Sequence, residues 1–409
     1  MSNKLMEIDL LGQYYTAINN EQQPGVFAIS VHLTKPVNSK VLQNALNDLM
    51  TRLPFLNSRV KAGFFSYQLE QLDTVTKVES NELTPLFSDY YNHGSRHIIK
   101  VVYGQKNFTV KATHSICDGR GLSKITIALL TRYFELLGLK VSKQGIIDCE
   151  KYFQSEEAED GVKLYMSESP KENKKKEDSK RKVYQTQLSR STLQNVYSET
   201  FDVNVLKKES QNKKMTLSQY LFTHIFSIIK KNRDSEGGSG EITGSLQIDC
   251  RTFFPSNTLR SFVTAKNITM PETYNITEQT RKIKQQFQEI TKEYVHRKLY
   301  EQQKMLQYIR FMPLIIKDMI MKKLSHIDAA RTTTGLSNLG LIKLPSEIEA
   351  YVEHLEFPIA IEKGISQFFS CVTVGNKLTL TATFFEEGRN IVEEVMETLR
   401  EVEHKGKIK

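Results

Sequence analysis

A strand that breaks into a helix through two closely spaced glycines constrains this chain more than any other stretch. Phe108, Val110, Ala112 and His114 fall on one face of an alternating run, and Thr109, Lys111 and Thr113 fall on the other. Just beyond, Leu122, Ile125, Leu129, Tyr133 and Leu137 recur at helical spacing, so Gly119 and Gly121 mark the sharp turn between the two periods. The joining segment, Thr113-His114-Ser115-Ile116-Cys117-Asp118-Gly119-Arg120-Gly121, carries one imidazole base and one carboxylate. His114 starts on the apolar, inward side, where a ring at a strand end is well placed to meet a substrate. A lone histidine on such a face is more often a packed core residue than a catalyst, so periodicity alone does not assign it a chemical role.

The chain of 409 residues is too long for one ordinary core, and two units of about 200 residues each are expected. A hydrophobic content of 39% with 25% charged residues suits a soluble globular protein. No apolar run approaches the ~18 residues needed to cross a bilayer, so no transmembrane segment is expected. Glu7 and Asp9 sit where a secretory signal needs an apolar stretch, which points to a cytoplasmic location. Cys117, Cys149, Cys250 and Cys371 are scattered, without a Cys-x-x-Cys pair or a Cys/His cluster, and support neither a disulfide framework nor a metal site. Cys117 raises a nucleophile hypothesis, although a small residue packed in the turn is the simpler account. Much of the net charge of +9 sits between Lys171 and Lys182, interspersed with Glu172, Glu177 and Asp178. A solvated linker explains that run, and without a recognition module bearing interleaved aromatics no nucleic-acid partner is expected.

Around the turn, Val26–Leu33 reads as a buried strand. A helix capped by Asn38 or Ser39 follows, with the stripe Val41, Leu42, Ala45, Leu46, Leu49 and Met50 before Pro54 stops it. Strands are expected at Phe64–Leu69, His97–Tyr103 and Phe108–His114, the last two joined by a short turn. His32, His93 and His97 are the nearby rivals to His114, and none has a carboxylate at comparable spacing in a glycine-flanked turn. From about residue 140 the pattern degrades, which divides the chain into 1–165, a linker at 166–182 and 183–409. The second half then predicts a strand near Val183–Leu188, a helix after Asp202, a helix over Leu217–Lys231, a loop at Asn232–Gly240 and a strand at Ser245–Arg251. Thr277–Leu306 reads as polar helix. Phe311–Leu324 is apolar and lysine-bearing, suited either to a membrane surface or to packing against a substrate channel. A hairpin at Phe368–Phe385 turning at Gly375-Asn376 and an amphipathic helix over Asn390–Glu403 complete the pattern.

His-x-x-x-Asp-Gly after a strand, here His114 to Gly119, resembles the active-site signature of acyltransferases with the chloramphenicol acetyltransferase-like fold. These include nonribosomal peptide condensation domains, polyketide-associated acyltransferases and alcohol acetyltransferases. Thr113 stands where condensation domains usually carry a second histidine. The passage Arg52-Leu53-Pro54-Phe55-Leu56-Asn57-Ser58-Arg59 is similar to the family's route from its first helix into the next strand. Arg251 is similar to an arginine that supports the family's active-site aspartate. Ser337-Asn338-Leu339-Gly340 resembles the Ser-Asn-x-Gly block of alcohol acetyltransferase relatives, and with no tryptophan in the chain the Asp-Phe-Gly-Trp-Gly block of condensation domains is absent.

The resemblance implies an α/β fold of two chloramphenicol acetyltransferase-like domains, each a mixed sheet flanked by helices, with the active-site channel between them meeting at His114. It implies movement of an acyl group from a thioester to the hydroxyl or amine of a small-molecule acceptor. Acyl-CoA is the co-substrate implied first, and an acyl carrier protein is the alternative donor. No tightly bound cofactor is implied. His114 and Asp118 form the implied catalytic pair, the former as general base and the latter as brace, with Gly119 and Arg251 in support. Ser337, Asn338 or a backbone amide near Gly119 are candidates for contacting substrate or oxyanion. A catalytically silent binding protein on the same fold is the reading from a different class, and the retention of both His114 and Asp118 argues against it.

Overall fold

A computed structural model describes residues 5–20, 24–81, 86–87, 97–166, 182–186, 193–362 and 364–408. His93, residues 167–181 of the linker and residues 187–188 lie outside the described residues. Two mixed sheets organise the chain. In the first, Val26–Leu33 pairs antiparallel with Asn107–Thr113, which pairs antiparallel with Ile99–Tyr103, and Glu79–Ser80 adds a short parallel edge. Val26–Leu33 forms a strand because β-branched and aromatic residues alternate along it and nearly all are buried. The helices Ser39–Arg52 and Gly119–Leu136 pack beside this sheet. Asn38 caps the former by accepting from the Val41 amide at 3.2 Å, and its own amide donates to the Tyr133 hydroxyl at 2.9 Å, tying the helices together.

The fifth strand of this sheet comes from far along the chain. Val352–Glu356 pairs antiparallel with Val26–Leu33, placing Leu355 opposite Val31 and His354 opposite His32. Only Val352 and Leu355 of its five residues are buried, so the segment is too polar and too short to announce itself as a strand. The core of the first half takes Leu339, Ile348, Leu355 and Phe357 from the second half. Each such side chain contributes roughly 1.5–3 kcal/mol on burial.

The second sheet runs Val263–Met270, Ile242–Asp249, Thr334–Leu341, Gln367–Val374, Lys377–Phe384, Asn195–Asp202. The two central pairings, on either side of Thr334–Leu341, are parallel and the outer three are antiparallel. The helices Leu217–Ser235 and Arg389–Ile408 bury their apolar stripes with it in a second core. A small antiparallel sheet of Leu5–Glu7, Tyr67–Gln71 and Ser58–Ala62 sits beside the first. Two mixed, helix-flanked sheets agree with the α/β expectation.

Several boundaries differ from expectation for identifiable reasons. The strand expected at Phe64–Leu69 begins only at Tyr67, because Gly63 to Ser66 is a tight turn in which the Gly63 amide donates to the Ser66 carbonyl at 3.0 Å. Arg251 lies not on the strand but in the short 3-10 turn Cys250–Thr252 after it, since Asp249 accepts from the Arg251 amide at 3.1 Å and curls the backbone. The polar helix is two helices, Ile276–Gln288 and Lys292–Ile309, with Thr291 capping the second. Within residues 182–186, Val183 makes a single bridge to Glu241, and the strand of that region is the polar edge Asn195–Asp202. Val263–Met270 is a further strand whose alternation the sequence hides, because the buried Lys266 is paired with Glu289 at 2.9 Å. The Phe311–Leu324 segment contributes the helix Leu314–Ala329. Among the described residues no helix is long and apolar enough to cross a membrane.

Candidate active site

The strand Asn107–Thr113 ends one residue before His114, whose amide donates to the Gly25 carbonyl at 3.1 Å. Its ring is held between Tyr15, with centroids 4.2 Å apart and planes 21° apart, and Phe27, at 4.3 Å and 31°. The half-buried ring borders a cavity of about 550 Å³ whose walls come from both halves, including Tyr15, Phe27, Gly119, Gln247, Thr264 and Ser337. Burial pushes the imidazole down from 6.5 to about 3, partly opposed by the Cys117 backbone. The ring is therefore neutral throughout the physiological range.

Asp118 is buried and fully committed. One oxygen caps the helix Gly119–Leu136 by accepting from the Gly121 amide at 2.8 Å. The other accepts from Arg251 Nη1 at 2.8 Å and from the Phe262 amide at 2.7 Å, both in the second half. Arg251 is satisfied as completely. Its guanidinium also donates to Asp249 at 3.0 Å and to the carbonyls of Thr258 and Arg260 at 2.7–3.1 Å. Asp118 thus fixes where the helix starts and where the second half meets it, and does not touch the His114 ring directly in this geometry.

The glycines answer to space. A Cβ on Gly121 would lie 1.9 Å from the Leu259 carbonyl oxygen, so only glycine lets the second half approach this turn. A Cβ on Gly119 would lie 2.7 Å from the Phe357 ring. Gly119 borders the cavity, and as the first residue of the helix its amide lacks an intrahelical acceptor. Further bonds cross the seam: Arg120 donates to the Leu339 carbonyl at 2.7 Å and Ser261 donates to the His114 carbonyl at 3.2 Å.

Strand alternation separates Ser337 from Asn338. Ser337 borders the cavity, whereas the Asn338 side chain donates to the Ser218 hydroxyl at 2.9 Å and accepts from the Gly340 amide at 2.7 Å. Asn338 is thereby engaged in bracing its own strand and not in contacting the cavity. Cys117 is buried, and burial together with the neighbouring Asp118 holds its thiol well above the ordinary range, which denies it thiolate character. Sequence reasoning missed Tyr15 and Phe27 as the walls of the histidine, since neither stands at a telling spacing from it. His97 is bonded to the Thr74 carbonyl at 2.8 Å. Among the described residues, the grouping within reach of a shared metal ion is His32, His354 and Glu356, and none of the three borders the cavity.

Two helix-flanked mixed sheets in one chain form the chloramphenicol acetyltransferase-like, condensation-type fold. No protein-family model matches the sequence, and no curated protein does either. Solved structures match along nearly its whole length. The epimerization domain from the third module of tyrocidine synthetase B aligns with a TM-score of 0.62 at 10% identity, covering 99% of this chain and 97% of that one. TRI101 of F. sporotrichioides, solved with coenzyme A and T-2, aligns at 0.65 and 11%, covering 96% and 97%. Polyketide synthase associated protein 5 from Mycobacterium tuberculosis aligns at 0.60 and 13%, covering 96% of each. At these identities the likeness is one of fold.

Proposed function

We propose that the protein transfers an acyl group from a thioester, acyl-CoA, to the hydroxyl or amine of a small molecule, with His114 as general base. The observation that carries this reading is a neutral imidazole bordering a 550 Å³ cavity walled by both halves. His114 takes the acceptor proton as the oxygen or nitrogen attacks the thioester carbonyl. The tetrahedral adduct then collapses, its carbon–sulfur bond breaks, and the imidazolium returns the proton to the departing thiolate. A base of such low pKa does little before the attack begins, so proton transfer runs in concert with bond formation, as the attacking group becomes acidic. The Gly119 amide is the oxyanion donor supported best, at a helix N-terminus where the dipole favours negative charge. Asp118 and Arg251 hold the turn, Ser337 contacts substrate, and residues 1–165 and 183–409 act only together. That the neighbouring TRI101 was solved with coenzyme A supports acyl-CoA over a carrier protein as donor.

Free-thiol release from a panel of acyl-CoAs with mixed alcohol and amine acceptors tests the proposal. Wild type is expected to release thiol with an acceptor present, His114→Ala to lose roughly 10²- to 10⁴-fold, and Cys117→Ala to stay within a few-fold. Thiol release by His114→Ala close to wild type refutes the base assignment. Loss at Cys117 equal to that at His114 shows covalent cysteine chemistry instead.

A further inference from the structure

The helices Lys292–Ile309 and Leu314–Ala329 each carry two faces. Inward, Lys298, Gln302, Met305 and Leu324 border the cavity. Outward, Tyr308, Ile315 and Met319 are 74%, 76% and 67% exposed, Phe311 in the turn between the two helices is 79% exposed, and Phe64 beside them is 71% exposed. These residues form one surface. The Leu314 amide donates to the Phe64 carbonyl at 2.9 Å, Lys317 donates to the carbonyls of Phe65 and Arg310, and the Phe64 and Phe65 rings meet edge-on at 4.7 Å. Monomeric proteins rarely leave such a patch of large apolar side chains in water.

Along residues 304–323 its charge is one-sided, and the acids across a cleft beside Phe311 include Glu7, which is paired with Lys163 at 2.6 Å, and Asp160. Lys304, Arg310, Lys322 and Lys323 are exposed around the patch. Between residues 304 and 323 the one acid is Asp318, which accepts from the Tyr67 hydroxyl at 2.7 Å. Phe311 borders that cleft together with Leu314, Lys317 and Asp318, but Phe64, Tyr308, Ile315 and Met319 border neither the cleft nor the His114 cavity, and at such exposures they project, which suits insertion among acyl chains more than the clasping of a peptide. Cations beside projecting aromatic and aliphatic residues match an anionic lipid surface, where each adds to the other's attraction.

We propose that Phe64, Tyr308, Phe311, Ile315 and Met319 dock the protein on the surface of an anionic bilayer. The same two helices that meet the lipid wall the cavity, so docking sets the cavity beside the membrane. Docking itself is independent of the chemistry at His114.

The test is flotation of the full chain with vesicles of phosphatidylcholine, with and without phosphatidylserine. Wild type is expected to float with phosphatidylserine vesicles and to be released by salt. The double variant Phe311→Asp/Ile315→Asp is expected to lose about tenfold or more in partitioning, and Lys322→Glu/Lys323→Glu several-fold. Since all four side chains are exposed, unchanged circular dichroism melts will show that the variants fold. Failure of wild type to float, or flotation of Phe311→Asp/Ile315→Asp equal to wild type, overturns the proposal. So does sedimentation showing that wild type is a dimer which Phe311→Asp/Ile315→Asp dissolves, since the patch then meets a second copy.

Discussion

Consider removal of the Asp118 carboxylate. Asp118→Ala deletes a helix cap, worth about 1 kcal/mol, and leaves the buried Phe262 amide without its acceptor, at about 1–3 kcal/mol. It also strips Arg251 of one partner. Breaking a buried ion pair costs roughly 3–5 kcal/mol when the remaining charge is stranded. Here Arg251 keeps Asp249 at 3.0 Å and the carbonyls of Thr258 and Arg260, so its share falls below that range. With about 1.5–3 kcal/mol for the lost hydrogen bond between charged groups, the total for Asp118→Ala is about 3.5–7 kcal/mol, and its coupling to Arg251→Met is that same share of about 1.5–3 kcal/mol. With no tryptophan to report, urea unfolding of the wild type, both single variants and the double variant is followed by far-ultraviolet circular dichroism. Additivity within ~0.5 kcal/mol refutes an energetic link across the seam.

Gly121→Ala places a Cβ 1.9 Å from a carbonyl oxygen of the opposite half, so a loss of about 3 kcal/mol or more is expected in the same unfolding assay; a change under ~0.5 kcal/mol contradicts the close approach. Burial of a neutral His114 stabilises the fold fully above pH 6.5, and that contribution is lost as pH falls from there toward 3, because only the unfolded chain then takes up the proton. Between pH 6.5 and 5 this removes up to about 2 kcal/mol from wild type and nothing from His114→Phe; parallel pH–stability curves for the two proteins contradict the depressed pKa. For the same reason kcat/KM is expected to show no acid limb near pH 6.5.

Strands whose residues alternate and are buried were legible: Val26–Leu33, Asn107–Thr113 and the hairpin of Gln367–Val374 with Lys377–Phe384. Edge strands were not. Asn195–Asp202 and Val352–Glu356 keep polar residues facing solvent, and their place is fixed by partners far away in sequence. The histidine turn was readable because a change of period and two glycines coincide there. Its walls were not, since Tyr15 and Phe27 meet His114 only through the packing of separate elements. Ser337 and Asn338 were read as a pair, and strand alternation, which puts neighbours on opposite faces, assigns them different work.

The edge strand Val352–Glu356 bears on how the chain is made. Val26–Leu33 leaves the ribosome about 320 residues before its partner on that side. At the usual pace of synthesis, roughly 5–20 residues per second, its outer edge waits about 15–65 s with unpaired amides and carbonyls. The nascent first half is therefore a sheet with an open side, a template for wrong strands until residue 356 emerges. Chaperone occupancy during translation is expected to persist until then, and a message truncated before Val352 yields a product that aggregates rather than a small stable domain.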